Sequence, residues 1–222
     1  MILIGMFDSP FVRRVAVSLR LLEVAFEHRN WSAYRDFELI RQFNPLGRVP
    51  ALVLPDGEAL IDSNAILDFL DDSAGPGRAL LPRSGVERRR ALHIIALALG
   101  AADKGILLLE DTLFRPQTKS YEPRLERFRS QMHGALAEID RLAQMQVDEW
   151  MVAGRMTQAD ITLTCVFGFL CDALQLGQSW VLYPGLTALS ARCEMLPAFR
   201  ELRAKFTPSE SASLPQHDRA AR

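Results

Sequence analysis

The sequence contains few of the residues that build disulfide frameworks or strongly charged binding surfaces. Its 222 residues include three cysteines and four histidines, and the net charge is −1. Cys165, Cys171 and Cys193 lie in apolar, helix-like sequence without a C-x-x-C motif. This arrangement is typical of buried thiols in a reducing compartment, and it argues against a disulfide framework or a zinc site. A net charge close to zero gives no electrostatic reason to expect binding to nucleic acid or to an anionic membrane.

Signals of several other protein classes are also missing. No histidine is paired with another residue at the spacing of metal ligands, so we expect no metal site. The N-terminus lacks a basic start followed by a long apolar run, so we expect no signal peptide and a cytoplasmic protein. The longest weakly polar stretch, residues 91–102, ends at Asp103 and Lys104, and we expect it to be too short to span a bilayer. The absence of a G-x-S-x-G motif argues against a serine-hydrolase triad.

The remaining composition favours a small α/β domain followed by an all-α domain. Hydrophobic residues make up 49% of the chain, which is enough for a sizeable core. Residues 1–74 alternate between strand and helix patterns, whereas residues 86–206 show helix patterns only. Turn-forming residues between them, at 75–85, indicate a linker. The last segment, 207–222, has almost no apolar content, so we predict that it is disordered.

The first domain has the predicted order β-α-β-α-β-β-α. Ser9 and Pro10 are typical of a helix start, because serine caps the helix and proline suits its first position. Asp62 or Ser63 caps the third helix in the same way. Pro55-Asp56-Gly57 predicts a hairpin turn between the last two strands. The predicted strands are 2–6, 25–31, 51–54 and 58–61, and the predicted helices are 9–22, 35–43 and 63–70.

The second domain has four predicted helices, at 86–114, 121–145, 157–176 and 186–203. Thr157 to Asp160 form a variant of the capping box that opens the third of them. The helix at 86–114 carries few charges after Arg90, so it must be buried against more than one neighbour. Either a second subunit shares it with the two domains, or its exposed part lines an apolar pocket.

The segment from Asn44 to Pro50 is the most informative part of the sequence. A proline at the entry of a strand indicates that the first backbone N–H is not needed for pairing, and X-Pro bonds alone adopt the cis form cheaply. A cis Val49–Pro50 bond would turn the backbone of Val49 towards solvent, where it could pair with a small peptide. Taken alone, the segment fits an ordinary turn with a trans proline better.

Four polar residues are candidates for binding or catalysis, and each has a simpler structural interpretation. Ser9 and Ser63 are either plain helix caps or hydroxyls that bind an anion at a helix N-terminus. Arg48 is either a solvated loop residue or the partner of a terminal carboxylate. Asp103 is either a surface carboxylate or a ligand contact on a largely apolar helix.

Four segments together resemble the glutathione S-transferase family, of the small bacterial cytosolic kind. They occur in the family's order within about the first 165 residues, and each of them alone is a weak signal. The segments are Ser9-Pro10-Phe11-Val12-Arg13-Arg14, Phe43-Asn44-Pro45-Leu46-Gly47-Arg48-Val49-Pro50, Asp62-Ser63-Asn64-Ala65-Ile66 and Ala153-Gly154-Arg155-Met156-Thr157-Gln158-Ala159-Asp160.

The resemblance implies a thioredoxin-like N-terminal domain, a helical C-terminal domain and a homodimer. It also implies that Val49–Pro50 is cis and that Val49 pairs with the cysteinyl backbone of glutathione, the co-substrate. Ser63 would hold the γ-glutamyl carboxylate, and Arg48 would lie near the glycyl end. Ser9 occupies the position of the hydroxyl that activates the thiol in this family.

The resemblance leaves the second substrate open. Asn64 stands where we expect an acidic residue in many members, and Asp103 of the partner subunit would compensate for the missing charge. No cysteine follows Phe7-Asp8, which argues against members that form a mixed disulfide with glutathione. The expected wall of the pocket for a small hydrophobic electrophile consists of Phe7, Phe11, Leu107 and Phe114.

Three functions are compatible with these residues. The first is a glutathione-conjugating transferase. The second is a non-catalytic protein-binding factor of the same fold, of the stringent starvation type, in which Ser9 is only a cap. The third is a glutathione-dependent isomerase or dehalogenase, which would use the same glutathione residues with a different apolar pocket.

Overall fold

A computed structural model describes residues 1–174, 176 and 179–207. The disorder that we predict for 207–222 therefore lies outside the described residues, apart from Thr207. The linker at 75–85 and the domain boundaries beside it stay predictions.

The N-terminal part is built on a four-stranded mixed sheet with the strand order β2-β1-β3-β4. Strand β1 runs parallel to β2, and the pairs β1–β3 and β3–β4 are antiparallel. Ala51 pairs with Ile4 on one side and with Ile61 on the other, so β3 is an inner strand. The strands are β1 (Ile2–Ile4), β2 (Glu27–Arg29), β3 (Ala51–Val53) and β4 (Ala59–Ile61).

Three helices complete this part, and the order β-α-β-α-β-β-α is as predicted. They are α1 (Pro10–Leu21), α2 (Phe37–Arg41) and α3 (Ser63–Ala74). Ser9 caps α1, because its hydroxyl oxygen accepts a hydrogen bond from the Val12 N–H at 3.4 Å. Asp62 caps α3 by accepting the Asn64 N–H at 2.7 Å. Between the two possible caps of α3, the structure therefore selects Asp62.

The described residues of the C-terminal part form helices and no strand, as predicted. Its central helix, α6, is buried along most of its length. Asp160 forms the expected capping box with Thr157 and also accepts the Met151 N–H at 2.9 Å. The helices are α4 (Gly85–Phe114), α5 (Glu122–Gln144), α6 (Gln158–Ala173), α7 (Ser179–Leu182), α8 (Pro184–Glu194) and α9 (Pro197–Arg200), with a 3-10 turn at Gln117–Lys119.

The predicted helix at 186–203 is wrong. The structure has two helices there, α8 and α9, and they are separated by Met195 and Leu196. Proline has no N–H to continue a helix but suits the first turn of a new one, so Pro197 begins α9. The sequence analysis also missed α7 and extended α6 three residues too far, to 176 instead of Ala173.

Helix α4 is longer in its apolar part than we expected from residues 91–102. By length and composition alone, its 30 residues are enough to cross a membrane. The expectation that this stretch is too short is therefore wrong. Core helices of soluble proteins pass the same test, and α4 packs along α5 and α6 with Ala91, Ala98 and Ala101 fully buried.

Arg13 joins the first helix to the end of the helical part. Only 2% of its surface is exposed, and its two terminal nitrogens donate to the carboxylate of Glu194 at 2.8 and 2.7 Å. The guanidinium also donates to the backbone oxygens of Phe199 and Leu202. Burial opposes the charge of Arg13, but the hydrogen bonds to Glu194 together with nearby charges, including those of Glu194 and Asp172, outweigh that effect and its pKa is raised. This cluster fixes α1 against α8 and α9.

We expect two of the three thiols to be unreactive in the folded protein. Burial raises the pKa of Cys165 to about 12 and that of Cys193 to about 11, so both stay protonated at neutral pH. Cys171 is only half-buried. Ellman's reagent should therefore react with no more than one thiol per native chain and with all three after unfolding. Cys171→Ser should abolish the native reaction, and a fast reaction that survives this substitution would contradict the assignment.

Candidate functional site

A cavity of about 540 Å³ lies between the sheet-containing part and the helices. Its apolar wall comes from both sides of the molecule, and its polar groups come from the loops that follow β1, β2 and α2, and from α4. The apolar side chains include Phe11, Trp31, Ile106, Leu109, Phe169 and Phe206, and the polar ones include Asp8, Ser9, Tyr34, Arg48 and Glu110.

Ser9 lies in this cavity at the N-terminus of α1. The Val12 N–H donates to its oxygen, so the hydroxyl hydrogen stays available for an acceptor in the cavity. The free N–H groups and the dipole of the helix also favour negative charge at this point. The two interpretations of Ser9, as a cap and as an anion-binding hydroxyl, are therefore physically compatible.

The backbone of Val49 lines the same cavity. The Val49–Pro50 peptide bond is cis, and Pro50 is buried behind Val49. Within the described part of the chain, neither the N–H nor the C=O of Val49 pairs with another backbone group. Strand β3 begins only at Ala51. A free donor and a free acceptor on one residue can pair with the backbone of a peptide.

Asn44 builds the loop that carries Val49, and the sequence analysis gave this residue no role. Its side chain donates to the Arg48 C=O at 2.7 Å and accepts the Leu46 N–H at 3.1 Å. The turn needs Gly47, which has φ of 63°, and a Cβ there would lie 2.0 Å from the ring of Phe37. Asparagine before a proline-containing turn is a known turn signal, and it could have identified Asn44.

Arg48 follows this turn and also lines the cavity. Its side chain is exposed and forms no ion pair with any residue that the structure describes. It is the one arginine or lysine among the described residues of the cavity wall. Its place is compatible with the expected contact to a terminal carboxylate.

Ser63 and Asn64 do not line this cavity. The anion-binding interpretation of Ser63 favours a solvent-facing hydroxyl, but Ser63 is only 4% exposed. Its oxygen and the side-chain oxygen of Asn64 both accept hydrogen bonds from one terminal nitrogen of Arg14, at 3.2 and 2.9 Å. Asn64 and Arg14 line a separate cavity of about 340 Å³, together with Gln158.

Arg14 is a buried cation that the sequence analysis did not single out. It is 2% exposed, and burial lowers its pKa to about 10. Its Nε has no hydrogen-bond partner among the described residues. A charge in this position keeps a positive potential directly behind Ser63 and Asn64.

The remaining predicted residues are spread around the cavity. Phe11 lines it, whereas Phe7 stacks on His28 with a distance of 3.8 Å between the ring centroids. Leu107 and Phe114 line a neighbouring cavity of about 490 Å³ instead. Asp103 is exposed on α4 and is not part of the described cavity wall.

Tyr34 and Glu110 form a polar pair in the cavity wall, which we did not predict from the sequence. The hydroxyl of Tyr34 donates to a carboxylate oxygen of Glu110 at 3.0 Å. Burial, together with the charges of Glu110 and Asp8, raises the pKa of Tyr34. The two residues are 76 positions apart, so no local pattern in the sequence indicates that they meet.

Comparison with known proteins places this geometry in a family. The model of the glutathione S-transferase N-terminal domain matches residues 3–78. An uncharacterized GST-like protein of Escherichia coli K12, YibF, is 34% identical over 168 residues, which are 76% of this chain and 81% of that protein. The chain belongs to the glutathione S-transferase family.

Solved structures of the family agree with this chain over nearly its whole length. A glutathione S-transferase of Methylobacterium radiotolerans, in complex with glutathione sulfonate, has a TM-score of 0.85 and 29% identity and covers 93% of this chain and 97% of its own. A glutathione S-transferase of Methylobacillus flagellatus, with glutathione bound, has a TM-score of 0.83 and 26% identity, and it covers 90% of this chain and 98% of its own. The thioredoxin-like domain and the helical C-terminal domain expected from the sequence are thereby confirmed.

Asn44 should be important for the stability of the loop that lines the cavity. Asn44→Ala leaves the Arg48 C=O and the Leu46 N–H without their side-chain partner. We expect the free energy of unfolding to fall by about 1–3 kcal/mol, measured by urea titration. Asn30→Ala is a matched control at an exposed site and should change it by less than about 0.5 kcal/mol. Equal stability of the two variants would contradict the role of Asn44.

Proposed function

We propose that this chain is a glutathione-conjugating transferase that acts on small hydrophobic electrophiles. The observation that carries the proposal is that Ser9 and the unpaired backbone of Val49 line one cavity whose other walls are largely apolar. A thiol-containing peptide needs the hydroxyl of Ser9 and the free backbone of Val49, and an apolar electrophile needs the apolar walls. The bound glutathione and glutathione sulfonate in the two solved relatives support this assignment.

In the proposed complex, glutathione binds as a short extra strand beside Val49. The N–H and C=O of Val49 pair with the backbone of the cysteinyl residue, which places the sulfur near Ser9. Arg48 attracts the carboxylate of the glycyl end. Pro50, which the resemblance also places among the glutathione-binding residues, is buried next to Val49 and belongs to the same proposed site.

The γ-glutamyl end is proposed to bind at Ser63 and Asn64. Because the Ser63 oxygen accepts a hydrogen bond from Arg14, its hydroxyl hydrogen can be donated to a carboxylate. The buried charge of Arg14 strengthens that interaction. The oxygen of Asn64 is used by Arg14, so the ammonium group needs a carboxylate from elsewhere. We assign it to Asp103 of the partner subunit in a cytoplasmic homodimer.

The proposed chemistry begins with the thiol of glutathione. A free thiol has a pKa of about 8.5, so only a small fraction is thiolate at neutral pH. The hydroxyl of Ser9 donates a hydrogen bond to the sulfur, and the N-terminus of α1 stabilises its charge, while the proton leaves to solvent. The thiolate then forms a carbon–sulfur bond with the electrophile, and the leaving group departs with the displaced electron pair.

Ser9→Ala tests the role of this hydroxyl. We expect glutathione to bind with little change in affinity, because Val49 and Ser63 are intact. The ultraviolet absorbance of the bound thiolate should disappear, and kcat with an aryl halide should fall on the order of 100-fold at neutral pH. Loss of the helix cap should also lower the free energy of unfolding by about 1 kcal/mol.

Ser84→Ala is the matched control, since Ser84 is the cap residue of α4 and lies outside the cavity. Its thiolate absorbance and kcat should equal those of the unmodified protein. If Ser9→Ala keeps the thiolate signal and full turnover, Ser9 is only a cap. No binding at millimolar glutathione would contradict the proposed function as a whole.

A further inference from the structure

Glu110 is an unusual residue in the wall of the electrophile cavity. It is half-buried on α4, between the large cavity and the neighbouring one, and lines both. Tyr34 donates a hydrogen bond to one carboxylate oxygen. No arginine, lysine or histidine among the described residues forms an ion pair with Glu110.

The next residue on the helix shows how a carboxylate is normally compensated. Asp111 is buried, forms an ion pair with Arg115 at 2.8 Å and accepts a hydrogen bond from Ser120. Glu110 has only a neutral partner, although the surrounding walls are largely apolar. Removing a carboxylate from water without a cation is costly, so this charge is available for a ligand that brings the missing partner.

Tyr34 keeps Glu110 in place without neutralising it. Burial and the nearby charges of Glu110 and Asp8 raise the pKa of the tyrosine, so its hydroxyl remains a donor at neutral pH. The ring is also fixed against Phe114, with centroids 4.9 Å apart. The one cationic residue of the described wall, Arg48, belongs to the loop where glutathione is proposed to bind. In the described wall of the large cavity, Asp8 and Glu110 thus outnumber the cations, whereas Arg115, Lys119 and Arg124 line the neighbouring cavity on the other side of Glu110.

We propose that Glu110, held by Tyr34, is a specificity-determining residue for the second substrate. It selects apolar electrophiles that carry a positively charged or hydrogen-bond-donating group, and it disfavours electrophiles that carry an anion. This inference rests on the proposed function, because that function makes the cavity the electrophile site. Like charges at close range across a partly dry site change affinity by tenfold or more.

Binding of three ligands with the same ring system tests this selection without any turnover. The probes are 1-naphthylmethylammonium, 1-naphthalenemethanol and 1-naphthoate, titrated by calorimetry into the full chain in the absence of glutathione. We expect the cation to bind most tightly and the anion most weakly. Glu110→Gln should reduce the affinity ratio of cation to anion by at least about tenfold and change the neutral ligand by less than about twofold.

Glu87→Gln provides the matched control, since it removes the same charge from an exposed position in the first turn of the same helix. It should leave all three affinities unchanged. Tyr34→Phe keeps the ring but removes the hydrogen bond to Glu110. The affinity ratio of cation to anion should therefore fall, but by less than in Glu110→Gln. This variant keeps the test decisive if Glu110→Gln does not fold.

Equal binding of the three ligands, no binding of any of them, or an unchanged ratio in Glu110→Gln would each overturn the inference. The proposed function fails in a different way. In that case glutathione does not bind or is not conjugated, whereas the naphthalene ratios still report the charge in the cavity.

Discussion

The ion pair between the buried Arg13 and the half-buried Glu194 holds together the two parts of the chain that enclose the cavity. Arg13 lies in the same helix that Ser9 caps, and Glu194 ends a helix of the C-terminal part. A buried charge that loses its partner costs several kcal/mol, so this contact strongly favours one arrangement of the two parts. The distance between the Ser9 hydroxyl and the apolar helices therefore depends on a contact outside the cavity.

The cavity combines groups that fold by different principles. The groups proposed to bind a peptide are largely backbone atoms and short side chains, presented by a turn and a helix end whose geometry is local. Its apolar wall comes from long helices, whose facing is decided by packing over the whole C-terminal part. Sequence changes in the helices can therefore alter which electrophile fits while the turn at Asn44 stays unchanged.

This difference also explains how much could be predicted from the sequence. Ser9 with Pro10, the Thr157–Asp160 box and the order of strands and helices carry local signals, and the structure agrees with them. The break at Pro197 was misread because the residues around it continue a helical pattern. The partners Tyr34 and Glu110, the burial of Ser63 against Arg14, and the stacking of Phe7 on His28 depend on tertiary contacts, which no short pattern contains.

Phe206 gives the end of the described chain a place in the cavity itself. Its ring meets Phe169 edge to face, with centroids 6.0 Å apart, and Arg203 nearby is tied to Asp172 by an ion pair of 2.7 Å. A truncation before Phe206, or a purification tag fused close behind it, would therefore change the shape of the cavity. Ligand binding to this cavity is best compared on protein that carries its tag at the other end.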